Sequence, residues 1–307
     1  MKTKNNDYIK ERDVTKMNKW KAVFLAAAMA VPMAACSAQQ PAKESSGEKS
    51  SAAEKSSAAE NVNAAESNRE TVYQVALLQS LTQGYYDGII KVSELKQHGD
   101  TGIGTFEGVN GEMIVLDGKV YQALGDGSVQ EADDNETVPF SNVTFFDKDL
   151  SVTLTQTDDI NSLKEALTAT VNDNGKNLFY MVKINGTFQK MNVRSELKQE
   201  KPYKSLDQAL ATDQREFNYD NIKGTVVALY CPDYMGGLNT PGWHFHFVSD
   251  DKTKGGHILD LAFASAEAEF DATQDFDMVL SETAEFQDME LAKDVSDAIK
   301  KVETNEE

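Results

Sequence analysis

Large apolar residues recur along this chain with a period that changes from one segment to the next. From about residue 71 onward, short runs alternate apolar and polar positions, the period of a strand with one buried face. Residues 101–106 and 112–117 are two such runs, linked through Gly108-Val109-Asn110-Gly111. Asn110-Gly111 suits the positive φ of a tight hairpin, and Asp117-Gly118 turns into a third run at 119–123, so a three-stranded meander is predicted. Residues 143–146 and 152–155 predict further strands. The segment 161–171 differs, because Leu163, Leu167 and Val171 recur every four residues, the spacing of a helix. Residues 178–184, Asn185-Gly186 and 187–193 predict a hairpin turned at the Asn-Gly pair, and 225–231 is another apolar, β-rich run. Strands at 244–248 and 257–263 flank the polar loop 249–256. At the end, residues 283–303 carry Leu291, Val295 and Ile299 on one stripe and predict an acidic helix. Strands outnumber helices and meander, so the expected class is α+β: mainly antiparallel sheets, a few helices, and two closely packed β-rich subdomains forming one unit.

The first 70 residues follow a different pattern. Lys16, Lys19 and Lys21 precede an apolar, alanine-rich run at 22–35 that is shorter than the roughly 20 residues of a membrane span. It ends in Met33-Ala34-Ala35-Cys36, small residues directly before a cysteine. Residues 1–35 therefore resemble a bacterial lipoprotein signal, with Met17 as an alternative start, and cleavage would leave Cys36 as a lipidated N-terminus. The expected location is the extracytoplasmic face of the membrane, with secretion as the alternative. Residues 36–70 hold almost no large apolar side chains and repeat KSSAAE at 49–54 and 55–60. Such a segment cannot bury enough surface to offset its ordering entropy, and it is expected to be a disordered tether. The domain is then 71–307.

Charge and composition narrow the function. Of 307 residues, 30 are Lys or Arg and 50 are Asp or Glu, a net charge of −20; without residues 1–35 the counts become 23 and 47, or −24. That balance gives no counterion-release term, so nucleic acid is not an expected partner. With Cys36 lipidated, Cys231 would stand alone, and no intrachain disulfide is expected. There is no phosphate-binding glycine motif between a strand and a helix, and no Gly-x-Ser-x-Gly nucleophile elbow.

The four histidines are the informative residues. His244, His246 and His257 fall within the stretch GWHFHFVSDDKTKGGHILDL. Alternation puts His244 and His246 on one strand face, with Phe245 and Phe247 on the other. Gly255-Gly256 allows the chain to turn back, and a hairpin centred near Asp251 places His257 almost opposite His246. Three imidazoles on one face suit zinc or another divalent first-row metal with open coordination positions. His98 lies in a polar turn and is expected to take no part. A His-x-His strand also occurs in cupins, so a cupin-like metalloenzyme acting on another small oxygenated acid, or a non-catalytic metal-binding lipoprotein, stand as alternatives.

Taken together, the blocks HGDTGIGTFEGVNGEMIVLDGKVYQ (98–122), the run from Arg194 to Lys201-Pro202-Tyr203, and the histidine stretch resemble the alpha-acetolactate decarboxylases. The resemblance spans about residue 72 to the C-terminus. It implies a carboxy-lyase that converts 2-acetolactate to acetoin and carbon dioxide, with zinc held by His244, His246 and His257 stabilising an enediolate. It further implies catalytic roles for Glu112, Arg194 and Glu303, substrate contacts from Thr105 and Arg194, and a homodimer. Arg194 would orient the carboxylate or stabilise developing charge, and Glu112 or Glu303 would protonate the planar intermediate from one face.

Overall fold

The computed structural model describes residues 68–292; the signal, Cys36, the tether up to residue 67 and Glu303 lie outside them, and the last three residues assigned to the tether, Asn68–Glu70, form a 3₁₀ turn that leads into the first strand. Nine short strands, eight before the long-stranded region of the chain and one after it, build a seven-stranded sheet and a two-stranded pair. They are β1 (Thr71–Val75), β2 (Ile90–Lys91), β3 (Thr101–Thr105), β4 (Glu112–Leu116), β5 (Lys119–Ala123), β6 (Val129–Glu131), β7 (Thr137–Val138), β8 (Phe140–Thr144) and, near the end, β14 (Asp275–Val279). β2 pairs only with β7; the other seven form one sheet in the order β14-β1-β8-β3-β4-β5-β6. Its pairs are antiparallel except β1 with β14. The second sheet uses longer strands: β9 (Leu150–Thr157), β10 (Phe179–Glu196), β11 (Gln214–Cys231), β12 (Gly242–Ser249) and β13 (Gly255–Thr273). Its order is β10-β11-β12-β13-β9, and β13 also pairs with β10, so the sheet closes on itself.

The helices are α1 (Leu78–Thr82), α2 (Val92–Leu95), α3 (Ile160–Asn174), α4 (Leu206–Asp213) and α5 (Ala284–Gln287). α3 is the helix predicted from the four-residue spacing. Asp159 caps it by accepting from the Ser162 backbone N–H at 2.7 Å, and Leu163, Leu167 and Val171 bury their shared stripe against Val152, Tyr180, Phe245 and Phe270. The opposite side of the second sheet meets the first through Ile103, Ile114, Met181, Val227, Leu229 and Val248. This α+β, largely antiparallel architecture is the expected one.

Three local expectations are corrected. Asn185-Gly186 is not a turn: β10 runs straight through it, pairing Gly186 with Gly224 on one side and Ala266 on the other. Two-sided pairing satisfies the backbone and outweighs the local turn preference of Asn-Gly. The link from β3 to β4 is wider than a two-residue turn, since a 3₁₀ segment at Glu107–Val109 precedes it and Asn110 keeps a negative φ. The C-terminal helix ends at Gln287, after one turn that Thr283 caps and only Phe286 buries. Asp288 and Glu290 follow, acids set against the negative end of a helix dipole, and Leu291 lies in a turn; Val295 and Ile299 are outside the described residues.

Candidate metal centre and active site

The site forms where the hairpin of β12 and β13 meets β4 and the end of β10. The turn is tied by Asp251, which accepts from the Ser249 hydroxyl at 2.6 Å and the Thr253 backbone N–H at 3.1 Å. Gly255 and Gly256 do not make this turn; they already pair with Val248 and Phe247. Gly256 serves instead as a close-approach residue. Its φ is +147°, and a Cβ there would sit 2.4 Å from the carbonyl oxygen of Arg194.

This hairpin places His257 directly opposite His246, and β10 places Arg194 directly opposite His257. One row across three strands thus carries an arginine and two imidazoles, and His244 lies two residues along β12 on the same face. The three ligand atoms, one from each histidine, all lie within 4.8 Å of one another. His244 Nε2 is 3.0 Å from both His246 Nε2 and His257 Nδ1.

The tautomer of His246 follows from its surroundings. Its Nδ1 is 2.8 Å from the backbone carbonyl of Met113 on β4, and a carbonyl can only accept, so Nδ1 carries the proton. Nε2 therefore presents a lone pair. It faces His244 Nε2 and, at 3.2 Å, Glu112 Oε2. Burial, then the positive charge of Arg194, lowers the His244 pKa to about 3. Burial and the neighbouring His244 lower that of His246 well below the ordinary value. Two of the three imidazoles are thus held neutral, and three ring nitrogens converging beside a carboxylate form a donor set that suits a divalent cation. Among the described residues this is the single group of His, Cys, Asp or Glu that could hold a metal ion.

A cavity opens beside the histidines. Thr105, Glu112, Arg194, Glu196, His244 and His257 supply its polar wall, and Leu78, Leu81, Val109, Phe140, Leu206 and Leu210 its apolar wall. Thr105 donates its hydroxyl proton to the carbonyl of Gly111 at 2.8 Å, which leaves its oxygen as an acceptor. Glu112 and Arg194 are 7% and 3% exposed. The guanidinium donates to Gln214 Oε1 at 3.3 Å, and its Nε lies 3.6 Å from Glu196 Oε1. The structure thus brings together Thr105, Glu112, Arg194, His244 and His257 in one cavity, with His246 buried behind them. His98 stands apart, stacked on Tyr73 at 3.7 Å between ring centroids. Sequence reasoning missed Glu196 and the apolar wall from α1 and α4. The predicted strand stopped at residue 193, whereas β10 continues to Glu196, so the shared face of Arg194 and Glu196 was not visible.

Fold and site together define a β-rich enzyme with a three-histidine candidate metal centre at one end of a half-apolar, half-charged cavity. A family model described as alpha-acetolactate decarboxylase matches residues 72–293. The alpha-acetolactate decarboxylase of Methanosarcina mazei is 39% identical over 234 residues, 76% of this chain and 80% of that protein. That of Bacillus subtilis strain 168 is 35% identical, covering 76% of this chain and 90% of its own. The crystal structure of the alpha-acetolactate decarboxylase from that strain superposes with a TM-score of 0.73 at 32% identity, over 76% of this chain and 99% of that one. The chain belongs to the alpha-acetolactate decarboxylase family, and it is a carboxy-lyase.

Proposed function

We propose that this protein converts 2-acetolactate to acetoin and carbon dioxide, using zinc held by His244, His246 and His257. The observation that carries the reading is the pairing of Arg194 opposite His257, which sets a carboxylate-binding fork beside the three imidazoles and in one cavity with Glu112. Bound there, a divalent ion supplies Lewis-acid stabilisation of negative charge on neighbouring oxygens. Arg194 takes the substrate carboxylate and fixes its direction in a cavity whose other wall, Leu78, Leu81, Phe140, Leu206 and Leu210, offers water no hydrogen-bond partner. Breaking the bond between C1 and C2 releases neutral carbon dioxide and leaves the electron pair in an enediolate. A carboxylic acid then delivers one proton to C2 from one face, which sets the stereocentre. Glu112 in the cavity wall is a candidate for that role, and Glu303 is the other.

The direct test is to add acetolactate to purified, metal-replete protein, measure acetoin and determine the bound metal by mass spectrometry. Absence of acetoin would overturn the reading. We further propose that residues 1–35 export the chain, that Cys36 is lipidated and that residues 36–70 tether the enzyme outside the membrane. Cys36→Ser should then move the protein from the membrane to the soluble fraction. A homodimer is proposed on the family resemblance, with sedimentation velocity as its test.

A further inference from the structure

Glu196 has no part in the reaction as set out above, yet it is a buried acid on the wall of the catalytic cavity. It stands two residues after Arg194 on β10, so the two side chains share a face. It is 5% exposed, and its Oε1 lies 3.6 Å from Arg194 Nε, inside ion-pair range but beyond a hydrogen bond. Arg194 Nε is itself buried and makes no hydrogen bond. The guanidinium is thus paired electrostatically with Glu196 but held loosely, with a donor to spare for an incoming anion. Gln214, which sits opposite Glu196 on β11, accepts from another edge of the same guanidinium and carries no charge.

We propose that Glu196 is a positioning residue, the internal counter-ion of Arg194, which competes with the substrate carboxylate for the guanidinium. The inference rests on the proposed decarboxylation, because that reaction gives the competition a purpose. The substrate arrives as an anion, and its carboxylate leaves as neutral carbon dioxide, which strips Arg194 of its partner inside a desolvated cavity. A buried cation left alone is strongly unfavourable. With Glu196 on the same strand face, the guanidinium regains a counter-ion without admitting an anion from solution. The cost is weaker binding of every carboxylate ligand, the substrate included.

The test uses the metal-loaded protein and two unreactive probes of one shape: 2-hydroxy-2-methylbutanoate, and its uncharged amide. Calorimetry should show that Glu196→Gln lowers the Kd of the carboxylate by about threefold to tenfold, as expected when a nearby negative charge is removed from a poorly screened site. The Kd of the amide should stay within about twofold, a charge selectivity that a purely structural role would not produce. An unchanged or raised carboxylate Kd in Glu196→Gln would overturn the proposal. Should that variant lose the amide as well through misfolding, Gln214→Glu decides. A second acid beside Arg194 should raise the carboxylate Kd, and no change there would equally overturn it. Neither measurement needs turnover, so failure of the wild-type protein to make acetoin would refute the proposed reaction and leave the binding comparison readable.

Discussion

The imidazole of His246 donates from Nδ1 to the backbone carbonyl of Met113 at 2.8 Å, a bond that ties the second sheet to the first at the candidate metal centre. It also decides which nitrogen is free, since the proton on Nδ1 leaves Nε2 as the ligand atom. Because the partner is a main-chain group, no substitution at residue 113 removes it. His246→Ala should abolish stoichiometric metal binding and lower acetoin formation by more than about 100-fold, beyond the loss typical for a supporting residue. Metal analysis and steady-state rates on the same preparation check both.

Arg194→Lys keeps the charge and discards the planar fork. Loss of a charge-assisted hydrogen bond at this position should cost about 1.5–3 kcal/mol in kcat/KM, roughly tenfold to a hundredfold. Melting temperatures of the two proteins separate that effect from instability.

The buried histidines make the metal-free protein sensitive to acid. The His244 pKa is depressed from 6.5 to about 3, so the native state resists a proton that the unfolded chain accepts. The histidine contribution to stability is therefore complete above 6.5 and should be lost as pH drops from there toward 3. Melting curves of chelator-treated protein across that window should show the decline, and adding zinc at the upper end should raise the melting temperature.

Asp271 should behave in the opposite sense. It is buried on β13, one carboxylate oxygen has no hydrogen-bond partner, and burial reinforced by Asp149, Glu70 and Asp147 raises its pKa to about 8. The native state therefore holds this proton more tightly than the unfolded chain. The associated stability is complete below 3.8 and is lost as pH rises through about 8. Asp271→Asn should raise the melting temperature most at alkaline pH and least at acid pH.

Gly256→Ala should be disruptive although it adds one methyl group. The backbone conformation alone should cost about 1–3 kcal/mol, and the new Cβ would press on the Arg194 carbonyl. Urea unfolding would measure the loss, and metal stoichiometry would show whether the hairpin still seats His257.

The metal hairpin was readable because its information is local. Alternation along β12 puts His244 and His246 on one face, and a tight turn at Asp251 brings His257 opposite His246, all within one short segment. The helix at Ile160–Asn174 was equally local, written in the spacing of Leu163, Leu167 and Val171. Asn185-Gly186 shows where local reading fails. Its turn preference is real, but strands on both sides satisfy the backbone and hold β10 straight. Of the C-terminal stripe only Leu291 is described, and it lies in a turn beyond the helix that ends at Gln287.

By itself, then, the chain's order of residues determined the β-rich class, the α3 helix and the three imidazoles on one hairpin, because each depends on neighbours a few positions apart. Family resemblance pointed to Arg194 and Glu112 without showing how they meet the histidines. Only the tertiary structure decided that Arg194 lies opposite His257, that Glu112 faces His246 across two sheets, and that Glu196 shares the cavity. Those relations depend on long-range strand pairing and on the packing of one sheet against another. They arise from burying surfaces that are far apart in the chain, and no local period records them.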